Sequence, residues 1–129
     1  MLSLPIYYTQ EFKTKPSKTF LVGLNWFRNA HHFIKNEVKR HYHHLVSEQI
    51  GSFKIKGEYT LSLYIYYKNT NCDGSNIAAL MEKMVLDALQ EYGVVEQDNV
   101  KFHQGTTWSI AGQDKLNPRC EVRVLPFSK

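Results

Sequence analysis

Apolar residues recur along this chain with two different periods, and the switches between them divide it into elements. Across residues 53–68 the period is two: Tyr59, Leu61, Leu63, Ile65 and Tyr67 share one face, and Thr60, Ser62, Tyr64 and Tyr66 share the other. That alternation predicts a long strand, because successive strand side chains point to opposite sides. Earlier the spacing is three and four, with Phe27, Ala30, Ile34, Val38, His41 and Leu45 on one stripe. It predicts one long helix, N-capped by Asn25 and ending near Gly51. After a polar loop at residues 69–76, a second helix runs to about Tyr92. Ile77, Leu80, Met81, Met84, Val85, Ala88 and Leu89 form its inner face, and Gly93 is its stop. Residues 2–12 and 20–24, either side of Lys15-Pro16-Ser17, read as strands, and residues 100–110 and 120–125 as two more. The expected fold is α+β, in the order β-(β)-α-β-α-β-β. It is a single domain over residues 1–129, a small mixed sheet packed with two main helices.

Length and cysteine use narrow the setting. A chain of 129 residues carries one core. Its longest apolar runs, such as residues 61–67, fall far short of the roughly 20 residues of a membrane span. The start of the chain lacks the basic-then-apolar pattern of a secretory leader. Cys72 and Cys120 read as isolated thiols rather than a disulfide framework. The expectation is a cytoplasmic protein with no membrane partner.

Charge adds a direction. The formal net charge is +4 and the sequence pI about 9.0. Its distribution says more than its size. Between Arg28 and His44 lie Arg28, Lys35, Lys39, Arg40 and five histidines, against the single acid Glu37. Acids gather later, from Asp73 to Asp98. A basic helix of this kind neutralises phosphates, so Arg28, Lys35, Lys39 and Arg40 are the expected DNA contacts. His31, His32, His41 and His44 have no cysteine or acid at zinc-site spacing and read as part of that basic surface. Trp26, Tyr64, Tyr66 and Trp108 stand open between base stacking and core or interface packing.

Three motifs then follow in order: Asp73-Gly74-Ser75-Asn76, Leu86-Asp87-Ala88-Leu89, and Gly93-Val94-Val95-Glu96-Gln97-Asp98-Asn99-Val100. Together they resemble the D-x-D-N, DAL and G-[VI]-x-x-DD-x-x-V signature of the RusA family of Holliday-junction resolvases. Asn25 and Arg28 ahead, and the Arg119-Cys-Glu-Val-Arg-Val segment behind, suit the same family. The resemblance implies a small homodimeric endonuclease of phage or prophage origin. Such an enzyme cuts branched, four-way DNA symmetrically in recombination and repair, in the host cytoplasm. It implies Mg2+ as cofactor, with Mn2+ as substitute. Asp73, Asp98 and Lys83 are the catalytic residues it points to. Asp73, Asp98 and Glu96 are the metal ligands, and Asn76 joins the DNA contacts.

The chain departs from that signature in three places. Ser75 and Gln97 stand where acids are usual, and the stretch from Asn76 to Asp87 is about one helical turn longer; Glu96 or Glu82 is the available substitute acid. Asp73, Ser75 and Asn76 are also ordinary N-cap residues. Two readings therefore stand side by side: an active endonuclease, and a catalytically weakened or inactive DNA-binding or host-interaction protein of the same fold. A helix between the two acidic loops spans roughly 25 Å. They meet if the next strand runs back along it, or if a second subunit contributes.

Overall fold

In the computed structural model, which describes residues 1–127, the periodic segments become six strands and three helices. They are β1 (Leu2–Pro5), β2 (Tyr7–Gln10), β3 (Lys18–Leu21), α1 (Leu24–Asn29), α2 (His32–Ile50), β4 (Tyr59–Tyr67), α3 (Gly74–Glu91), β5 (His103–Gln113) and β6 (Arg119–Pro126). The α+β class and the mixed sheet are as expected. The four-stranded sheet has the order β1-β6-β4-β5, and β2 and β3 form a separate hairpin. β4 pairs antiparallel with β6 and parallel with β5. A parallel neighbour requires a crossover, and α3 supplies it.

The period-two face of β4 is the floor of the core, with Tyr59, Leu61, Leu63 and Ile65 all buried. α3 lies over it with Ile77, Leu80, Met81, Met84, Val85, Ala88 and Leu89 buried, every position of the predicted inner face. Among the described residues no helix is long and apolar enough to cross a membrane.

Three expectations need correction. The single helix capped by Asn25 is two helices, broken where Ala30 and His31 are extended. His31 Nδ1 accepts the Phe33 N–H at 3.2 Å, which gives α2 an N-cap of its own. The break lets Phe27 turn into the core while α2 sets off in a new direction. The inner stripe of α2 is also shifted: Val38, Tyr42 and Val46 are fully buried, while His41 and Leu45 are only partly covered. Tyr42 tolerates burial because its hydroxyl donates to the Pro5 carbonyl at 2.6 Å. Finally, residues 2–12 are two strands in different sheets, and residues 53–58 precede the strand rather than begin it.

Candidate functional site

The loop leaving β4 ends at Asp73, the N-cap of α3. Its Oδ1 accepts the Asn76 N–H at 3.3 Å and the Ser75 hydroxyl at 2.8 Å. The Ser75 hydrogen bond first, then that of the Asn76 backbone, holds the exposed Asp73 carboxyl below its ordinary value of 3.8. Asn76 Oδ1 in turn accepts the Asn25 N–H at 3.0 Å. The motif is tightly seated. A Cβ on Gly74 would lie 2.8 Å from Trp108 Cζ3, and one on Gly23 2.9 Å from Asn76 Nδ2. Both glycines allow a close approach that a larger residue blocks.

At the other end of α3 the chain turns at Gly93; the Val94 N–H donates to the Leu89 carbonyl and the Val94 carbonyl accepts the Ile55 N–H. The Tyr59 hydroxyl donates to the Gln97 carbonyl at 2.9 Å, which anchors the loop that carries Asp98. Burial, and secondarily the negative charge of Asp98, pushes the Tyr59 phenol up to about 12.

Here α2 and α3 enclose a surface groove of about 910 Å3. One wall carries Lys39, Arg40, His43 and His44; the other carries Asp87, Glu91 and Asp98. His43 is only 7% exposed, and its Nδ1 bonds the Glu91 carboxylate. Its Nε2 is buried with no partner among the described residues. Of the two acids of α2, Glu37 accepts from Gln10 Nε2 at 2.9 Å and helps fasten the β2–β3 hairpin to α2, and Glu48 lies 2.8 Å from His44 Nε2. Lys39 and Arg40 are both exposed on α2.

The fold thus gathers three of the sequence-predicted residues, Lys39, Arg40 and Asp98, into one groove. It does not bring Asp73 to Asp98 within one chain. They sit at opposite ends of α3, whose eighteen residues span about 27 Å. The reason is topological: β5 starts beside the end of α3 and runs parallel to β4, so the Asp98 loop stays at the far end. Lys83 is exposed in the middle of α3, Glu96 is exposed in the loop before Asp98, and Arg28 is exposed on α1. Lys35, half-buried, lies one turn before Lys39, and Asn76 belongs to the Asp73 end.

In the sequence Asp87 stood only within the Leu86-Asp87-Ala88-Leu89 motif, and Glu91 and His43 were given no role of their own. Their signal was the pairing of two spacings: 36, 39/40 and 43/44 on α2 against 87 and 91 on α3. Magnesium takes one or two carboxylates and completes its octahedron with water and phosphate oxygens. Asp87, Glu91 and Asp98 line this groove, with the Glu91 carboxylate bonded to His43, and no three histidine, cysteine or acidic side chains are grouped to hold a metal ion among the described residues.

No protein-family model matches the chain, and no curated protein sequence does either.

Proposed function

We propose that this protein is a metal-dependent endonuclease acting on branched DNA, with the α2–α3 groove as its phosphate-binding site. The observation that carries the reading is the pairing within one groove of the cations Lys39 and Arg40 with the acids Asp87, Glu91 and Asp98. Lys39 and Arg40 neutralise backbone phosphates. The opposing carboxylates would hold Mg2+ or Mn2+, which when bound activates water and offsets charge on the phosphate. Asp73 enters the site only from a second copy of the chain, so the reading includes a symmetric homodimer, matched to a two-fold substrate. Lys83, exposed midway along α3, would act on DNA lying across that helix.

The second reading is a DNA-binding protein of the same architecture without turnover. It is supported by the separation of Asp73 from Asp98 along α3 and by the Ser75 hydroxyl that occupies the Asp73 carboxylate.

A four-way junction with magnesium or manganese separates the two. The nuclease reading expects metal-dependent cleavage that Asp98→Asn abolishes while junction binding survives. It also expects that Lys39→Ala with Arg40→Ala lowers the slope of log affinity against log salt by about 0.9 for each lost contact. Binding without cleavage moves the conclusion to the second reading. A salt slope unchanged in the double variant removes the groove from both.

A further inference from the structure

The two edges of the main sheet are treated differently. β1, four residues long, is closed by a side chain: the Gln49 amide accepts the Ser3 N–H at 2.7 Å and donates to the Ser3 carbonyl at 2.9 Å. In effect Gln49 stands in for a neighbouring strand. β5, eleven residues long, has no such cover, and among the described residues only β4 pairs with it. Residues 107–111 are all exposed. From His103 to Gln113 there is no lysine, arginine, acid or proline to guard the edge, and the two irregularities of its pairing with β4 leave residues 105–110 in continuous register between them.

We infer that the free edge of β5 is an interface with a second copy of this chain, the two β5 strands pairing antiparallel about a two-fold axis near Trp108. This names the surface of the homodimer in the reading above and rests on that reading only for its use, not for the edge itself. The strand is self-complementary on both faces. Its parallel register with Leu63 and Ile65 puts Trp108 and Ile110 on the helix side of the sheet, 44% and 48% exposed. Beside them is a shallow hollow of about 280 Å3 lined by Tyr67, Thr70, Cys72 and Gly74. An antiparallel copy brings its own Trp108 and Ile110 against that apolar strip. On the opposite face, Thr107 and Ser109 of one strand meet Ser109 and Thr107 of the other, a hydroxyl pairing that suits adjacent strands. The result is one continuous eight-stranded sheet with both remaining edges closed by Gln49. The same two-fold sets the Asp98 end of one chain toward the Asp73 end of its partner.

Light scattering on the full chain at micromolar concentration tests this. Wild type is expected at twice the chain mass of 15.1 kDa. Ser109→Lys alone and Ser109→Glu alone place like charges on diagonal neighbours of the two strands and should each run at the single-chain mass. An equimolar mixture of the two should return to the doubled mass, which excludes misfolding as the cause. Wild type at the single mass overturns the inference, and so does a doubled mass in either variant alone or a mixture that fails to recover. The measurement needs no DNA and no metal. A dimer that cuts nothing overturns the nuclease reading and leaves the edge standing, whereas cleavage by a monomer overturns the edge.

Discussion

Asn76 Oδ1 accepts the backbone N–H of Asn25 at 3.0 Å, so the first turn of α3 is clipped to the first turn of α1. That donor is one of the orphan groups at a helix start, and no side-chain cap serves α1 from Gly23. Asn76→Ala should therefore destabilise the protein by about 0.5–1.5 kcal/mol, the net worth of one such bond. Urea unfolding is the measurement. An unchanged midpoint would mean that water replaces Asn76 at no cost, and would return its side chain to the DNA surface.

Asp73 has the structural role of a cap whatever else it does. Asp73→Asn keeps an acceptor at the N-cap but not the charge, and should lower the melting temperature less than Asp73→Ala does. The gap between wild type and Asp73→Ala has a defined pH dependence. The folded carboxyl lies below its ordinary 3.8, so the stabilisation is present above that value and is lost as pH falls through the folded value. Melting curves of both proteins from neutral pH down to acid check this. A gap that persists unchanged at the acid end would assign the stabilisation to something other than the ionised cap.

Tyr59 and Asp98 are coupled across the start of β4. Burial and the Asp98 charge hold the Tyr59 phenol at about 12 against an ordinary 10.0. The neutral phenol therefore stabilises the fold fully below pH 10.0, and that contribution is lost as pH rises through about 12. In Asp98→Asn one tyrosine should ionise at lower pH than in wild type, seen as a difference in phenolate absorbance during alkaline titration. Superimposable titrations would place the Asp98 carboxylate away from Tyr59.

Glu91 is the only hydrogen-bond partner of the buried His43 ring among the described residues. Glu91→Ala leaves both ring nitrogens unpartnered and should cost about 1–3 kcal/mol, with Glu91→Gln losing less because it still offers hydrogen-bonding atoms. Thermal or urea unfolding of the two variants ranks them. Equal stability of Glu91→Ala and wild type would show that the His43 ring turns to another partner.

Much of the fold was legible in the chain because burial imposes its period locally. β4 could be read from Tyr59, Leu61, Leu63 and Ile65, and α3 from seven apolar positions, since each lies flat on one core and keeps a single inner face. The basic character of α2 was equally plain. What the sequence did not settle was anything decided by where one element stops against another. The break at Ala30 and His31 depends on Phe27 and Val38 facing a core from helices of different direction. Tyr42 displaces His41 from the inner stripe because a carbonyl of a distant residue, Pro5, is placed to receive its hydroxyl. The candidate site divides in the same way. Lys39, Arg40 and Asp98 were recognisable by type, but their meeting in one groove, and the distance between Asp98 and Asp73, follow from β5 lying parallel to β4 with α3 as the crossover. Strand direction costs a local segment nothing to reverse. It is set only when the whole sheet closes over its core, and with it is set which acids stand together.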